Sequence, residues 1–276
     1  LVKDADGTIR EQVYKVGGYY SDAIEKIVAD LEKALPFAEN QQQKAVIEEL
    51  VKFYRTGSLK TFDDYSILWA EDTDSQVDFI NGFIESYGDP LGMTGSWESI
   101  VNFRDEKSSA RTRTLASSAQ WFEDHSPVDP KFRKPEVKGV SAKVINAAIL
   151  AGDAYPATPI GINLPNANWI RAAHGSKSVT IENITRAYDD ASHGNGFNEE
   201  FVIDQPTIDL LDKYLFITDN LHTDLHECLG HGSGRLMPGV DPDALKEHGS
   251  AIEEARADLF ALYYPVSYTH LRAHET

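Results

Sequence analysis

Cysteine is almost absent. Cys228 is the single one among 276 residues, so no disulfide within the chain can form. Fold stability therefore rests on a packed core, and a reducing compartment is permitted. No apolar run approaches the roughly 18 residues that a membrane-spanning helix needs. Basic residues are scarce beside acidic ones, 26 Lys and Arg against 44 Asp and Glu, for a formal net charge of −18. That balance excludes polyanion binding as the natural reading, so neither nucleic acid nor an anionic membrane surface is expected as a partner. It suits a soluble protein whose ligands are cationic, such as a peptide with an unblocked amino end; solubility alone explains it equally well. The opening residues LVKDADGTIR lack an initiating methionine and the pattern of a signal peptide. The expected location is cytoplasmic.

What is present supports a folded domain. Hydrophobic residues make up 41% and aromatic residues 10%, enough to bury a core. Helical spacing of Ile24, Ile27, Val28, Leu31 and Leu35 predicts one helix that Pro36 closes. A second is predicted over 40–54, ending at Gly57, and a third over 59–69. From Val77 the stretch VDFINGFIESYGDPLGMTGSWESIVNF predicts strand, turn, strand. Helix returns over 106–124, anchored on Leu115, Trp121 and Phe122; 125–139 is predicted loop. Residues 143–150 suit a buried strand or a helix equally, and AYPATPIGINLPN reads as an extended edge strand. A short helix is predicted over 166–173 and a loop over 189–197. A long helix from Pro206 runs into His226 and breaks at Gly232-Ser233-Gly234, and a last helix spans 250–264.

The chemistry concentrates in His226-Glu227-Cys228-Leu229-Gly230-His231. Histidines at i and i+4 share a helix face, whereas i and i+5 lie about 140° apart at about 100° per residue. One metal ion can meet both imidazoles only if the turn widens, and Gly230 stands where a π-bulge would need permissive backbone angles. Glu227 follows the first histidine, the general-base position of zinc peptidase helices. Glu254 comes 23 residues after His231 and shares a helix face with Asp258. His226, His231 and Glu254 form a plausible three-ligand set for Zn²⁺, with Glu253 and Asp258 placed to accept the imidazole N–H groups. The plainer alternative is a solvated acidic face paired with Arg256. His222 and His248 are read as surface or satisfied histidines, not ligands.

HECLGH followed by EEARAD resembles the dipeptidyl peptidase III family, zinc exopeptidases marked by H-E-x-x-G-H and E-E-x-R-A-E/D. Two upstream segments are similar to that family's substrate-binding stretches: FIESY with Asp89-Pro90, and Gly161-Ile-Asn-Leu-Pro-Asn166. The resemblance implies that His226, His231 and Glu254 bind one Zn²⁺ and that Glu227 activates water. It implies that Glu85, Asn163 and Asn166 hold the amino end of a short peptide, and that Tyr87 contacts the peptide near the scissile carbonyl. Gly161 and Asn163 would lie on a strand to which the peptide adds. The implied fold class is α+β, mostly helical, within a two-lobed metallopeptidase. Residues 1–105 and 147–190 would belong to a substrate-binding lobe with a five-stranded β-core, and 106–146 and 191–265 to a helical zinc lobe. Asp258 departs from the Glu that many relatives carry.

Residues 266–276, VSYTHLRAHET, follow Pro265 abruptly and resemble a translated sequencing-library adapter; they are read as a non-native tail, so His270 and His274 are assigned no chemistry. Because family members are much longer, the chain alone is expected to bind zinc weakly and to be inactive. The alternatives to a dipeptidyl peptidase are a non-catalytic zinc- or peptide-binding protein, and another zinc hydrolase such as an endopeptidase.

Overall fold

A computed structural model describes residues 1–85, 95–137, 140–241 and 244–273. The fold class is α+β and mostly helical, with more than half of the described residues in helix. Contacts divide the chain into two compact units, 1–76 with 169–174, and 77–168 with 175–276.

The first unit opens with a two-stranded ladder, β1 (Val2–Lys3) and β2 (Ile9–Arg10), which the sequence pattern does not announce. Three helices follow: α1 (Ser21–Ala34), α2 (Gln41–Thr56) and α3 (Leu59–Glu71). Their starts and stops have local causes. The Asn40 side chain accepts the Gln43 N–H at 2.8 Å and caps α2. Gly57 ends α2 with φ at 69°, a left-handed conformation that favours glycine. Ile24, Val28, Val46, Ile47, Leu50 and Tyr54 are buried at helical spacing and form the core of this unit.

The second unit is built on a five-stranded sheet. β3 (Val77–Glu85) pairs antiparallel with β4 (Ser96–Arg104), and β4 with β5 (Val140–Gly152). Thus 143–150 is strand, not helix. Between β4 and β5 the predicted helix 106–124 is two pieces, α4 (Ser109–Ser117) and α5 (Ala119–Asp124). Trp121, expected as an anchor, is 54% exposed and stacks on His125 instead. β6 (Gly161–Leu164) is an edge strand, as predicted, since the sheet order is β3-β4-β5-β7-β6. α6 (Asn168–His174) belongs mostly to the first unit.

β7 (Ser176–Ile181) lies between β5 and β6, parallel to the first and antiparallel to the second. The sequence pattern misses it, along with α7 (Glu182–Ser192) and α8 (Phe197–Phe201), which leave only a short piece of the predicted loop 189–197. Lys177, Ser178 and Thr180 make β7 look polar, yet all three are buried. Each has a partner. The Lys177 ammonium donates to Asp78 on β3 at 2.8 Å, and the Thr180 hydroxyl donates to Asp224 at 2.7 Å. Ser178 bonds the turn described below.

α9 (Gln205–Leu225) starts where Asp204 accepts the Thr207 N–H at 2.9 Å. It passes directly into a π-helical turn, His226–Gly230. α10 (Gly249–Ala273) packs against that turn. It runs on through Pro265, beyond the predicted end at Tyr264, and buries Phe260, Ala261 and Tyr264 ahead of the proline. Residues 274–276, the end of the tail, lie outside the described residues.

Asp78→Ala removes the carboxylate facing an ammonium that is 1% exposed. It is expected to lower the unfolding free energy by about 3 kcal/mol, the scale for breaking a buried ion pair, read as a shifted urea midpoint.

Candidate metal centre

The π turn answers the spacing problem. His231 N–H donates to His226 O at 3.0 Å, an i→i+5 bond, so the helix widens by one residue where the two histidines must converge. Their ring centroids stand 4.7 Å apart at 87°. Gly230 is required for a different reason from the predicted one. Its backbone is outside the left-handed region, but a Cβ there would lie 2.8 Å from Cα and O of Ala257. The glycine lets the turn and α10 touch backbone to backbone, and Ala257 is itself fully buried.

That contact sets three acidic side chains of α10 beside the histidines. His226 Nδ1 is 2.8 Å from Asp258 Oδ1, and His231 Nδ1 is 3.1 Å from Glu253 Oε1. With each Nδ1–H donated to a carboxylate, each Nε2 carries the lone pair a metal needs. Both Nε2 atoms face Glu254 Oε2, at 3.3 Å from His226 and 3.7 Å from His231. One ligand atom from each of the three residues lies within 4.8 Å of the others. Ligands of a tetrahedral zinc, each about 2.0–2.1 Å from the ion, stand roughly 3.3 Å apart. The donor set therefore fits Zn²⁺ in type, number and spacing. Arg256 does pair with this face, through Glu253 at 2.6 and 2.8 Å, while also donating to Ser233 Oγ at 2.7 Å. Burial pushes the Glu253 carboxyl up, but the bonds from His231 and Arg256 and the Arg256 charge outweigh it and bring the carboxyl down to about 2. It is thus an anionic acceptor at neutral pH.

Glu227 is 9% exposed and lies against β6. A Cβ on Gly161 would stand 2.5 Å from Glu227 Oε1, so any other residue there would push the carboxylate from its place. Asn163, two residues on, turns its amide nitrogen toward the turn, donating to Ser178 Oγ at 2.6 Å and to Glu227 O at 3.3 Å.

Glu85 ends β3. Burial raises its carboxyl, the Asn166 amide donates to it and counters that, and Asp153 adds repulsion. Its Oε2 is buried with no hydrogen-bond partner among the described residues. Glu98 on β4 joins the group unannounced by sequence. Burial, then the charges of Glu85 and Asp153, push its carboxyl up to about 7. Glu85 and Asn166 are therefore brought together, while Asn163 sits by the π turn. Tyr87 lies outside the described residues. Neither Glu98 nor Asp153 belongs to a motif, so no sequence signal marks them.

The sequence profile of Peptidase family M49 matches residues 3–246. "Dipeptidyl peptidase 3" of Rattus norvegicus is 32% identical over 221 residues, covering 80% of this chain and 29% of that protein. DPP III from Caldithrix abyssi superposes with a TM-score of 0.74 at 24% identity, over 91% of this chain and 48% of that one. The structure from Corallococcus sp. strain EGB gives 0.75 at 23% identity, over 98% and 50%. The chain spans less than a third of the curated relative and about half of each solved structure. Those structural likenesses establish a shared fold, and the profile, covering most of the sequence including the H-E-x-x-G-H turn, establishes that the chain belongs to Peptidase family M49.

Proposed function

We propose that this chain carries the metal site of a zinc-dependent peptidase that releases dipeptides from the amino end of short peptides. The observation that carries the reading is the convergence of His226, His231 and Glu254 donors beside Glu227, with both imidazoles oriented by carboxylates. His226, His231 and Glu254 hold the ion in this reading, and Glu253 and Asp258 fix the imidazole tautomers. Zinc, when bound, supplies Lewis acidity that makes a water molecule acidic near neutral pH and polarises the scissile carbonyl. Glu227 accepts the water's proton and delivers it to the leaving amine.

The substrate reading rests on β6 and on the acidic group at the end of β3. β6 is the edge of the sheet, so an extended peptide can add beside it through main-chain hydrogen bonds, with Gly161 admitting it close to Glu227. The buried oxygen of Glu85, with Asn166 beside it and the negative charge of Asp153 near, suits an ammonium group. Asn163 is assigned to the same amino end, and Tyr87 to the peptide near the scissile bond. We assign the two lobes as 1–105 with 147–190, and 106–146 with 191–265, and the cytoplasm as location; no helix among the described residues is long and apolar enough to cross a membrane. A second reading, binding without catalysis, is favoured by the share of the relatives' length that the chain spans, 29% in the rat protein.

Zinc content and dipeptidyl-arylamide hydrolysis, measured on the 276-residue chain and on a chain of the relatives' full length, decide between the two. The short chain is expected to bind zinc weakly without turnover, the long one to bind one zinc and turn over; a long chain that binds zinc and never cleaves sinks the peptidase reading. In that long chain Glu227→Gln should keep zinc stoichiometry and lower kcat by roughly 10²- to 10⁴-fold. Retained turnover removes Glu227 from the mechanism. Gly230→Ala forces the turn off α10 and should weaken zinc binding by roughly tenfold or more in a chelator competition. Amino-acetylated peptides should resist cleavage; if they are cut as fast as the unblocked ones, the enzyme is an endopeptidase.

A further inference from the structure

The π turn that converges the histidines also disturbs one carbonyl. In an α-helix the His231 N–H would serve Glu227 O, four residues back. Here it serves His226 O. Glu227 O instead meets strand residues: Ser178 Oγ donates to it at 3.1 Å and Asn163 Nδ2 at 3.3 Å. Asn163 Nδ2 also donates to Ser178 Oγ at 2.6 Å, which orients the hydroxyl proton toward the carbonyl. Ser178 is 2% exposed, so little water competes for these groups.

The same strand makes a second bond one helical turn earlier. Thr180 lies two residues beyond Ser178, on the same face of β7, and its hydroxyl donates to the fully buried Asp224. β7 thus grips the helix at Asp224 and again at Glu227, on either side of the point where it changes from α to π. An α-helical turn at this point would return the His231 N–H to Glu227 O and compete with the strand donors. Supplying that carbonyl from the strand favours the wide form.

We propose that Ser178, oriented by Asn163, is a positioning residue: it holds the His226–Gly230 turn in its π form by bonding the Glu227 carbonyl, and so sets where Glu227 and the two histidines stand. The proposal deepens the zinc peptidase reading and rests on it for its consequence, though the clamp itself is a property of the metal-free chain. It also gives Asn163 work at the turn in addition to the peptide's amino end. Through Asn163 the edge strand reaches the Glu227 main chain once directly and once by way of Ser178.

The test compares the 276-residue chain with Ser178→Ala and with Ser178→Thr, which keeps a hydroxyl. Two quantities are read. Hydrogen exchange at the His231 amide reports the i→i+5 bond, with β4 and β5 amides as the reference for the fold. Titration with Co²⁺, followed by its visible absorption, reports the metal site without relying on turnover. Ser178→Ala should speed exchange at His231 at least tenfold, leave the β4 and β5 amides within twofold, and weaken Co²⁺ binding about tenfold. Ser178→Thr should restore both toward the parent. His231 exchange within twofold of the parent in Ser178→Ala overturns the clamp. So does opening of the whole sheet, which would make Ser178 a residue of the fold alone, and so does equal damage by Ser178→Thr with the sheet intact. If the parent chain binds no Co²⁺, the metal reading fails in this chain while the exchange comparison still decides the clamp.

Discussion

One hydrogen bond underlies the site: His231 N–H to His226 O, closing a turn of five residues where a helix would close four. Wind the same residues as an α-helix, without that bond, and the two imidazoles diverge by about 140°. With it, both Nε2 atoms face one carboxylate of α10. A π turn is poor in its own hydrogen bonding, so it survives only where its surroundings favour it. Two features do so here. Gly230 allows α10 to press against the turn with no side chain between, and β7 supplies donors to the carbonyl that the widening displaces. The candidate metal site is accordingly a junction of three elements rather than a property of one helix.

Much of that junction could be read before any coordinates. His226, Glu227, His231 and Glu254 announce themselves through residue type and spacing, and the awkward i,i+5 interval itself demands a widened turn. Glu253 and Asp258 follow because liganding imidazoles need acceptors. The purpose of Gly230 was legible only in outline. Sequence suggests glycine for its torsional freedom, while the structure uses its lack of a Cβ against Ala257, and only the approach of a second helix reveals that. The same limit applies at Gly161, whose neighbour Glu227 is 66 residues away in sequence.

The fold shows a parallel division. Helices with an apolar stripe, α1 to α3 and α9, stand near their predicted places, since burial of one face leaves a period in the sequence. β7 does not, because hydrophobic alternation is the signal for a strand and β7 buries Lys177, Ser178 and Thr180. Those residues are tolerated in the interior because each meets a partner from a distant segment: Asp78, Glu227 and Asp224. Nor does sequence single out Glu98, whose raised carboxyl arises from burial beside Glu85 and Asp153, groups that a short motif cannot bring together.

The polar strand has a consequence for assembly. In most sheets an apolar face resists a one-residue slip, because slipping would turn that face to water. β7 has little such contrast. Its register is fixed by chemical identity instead: a slip of one residue would part the Lys177 ammonium from Asp78 and turn both hydroxyls away from the helix. β6 is aligned on β7 by backbone pairing, Asn163 opposite Ser178 and Gly161 opposite Thr180. The alignment that sets Gly161 and Asn163 against Glu227 is thus kept true by a buried ion pair on the opposite face of the sheet.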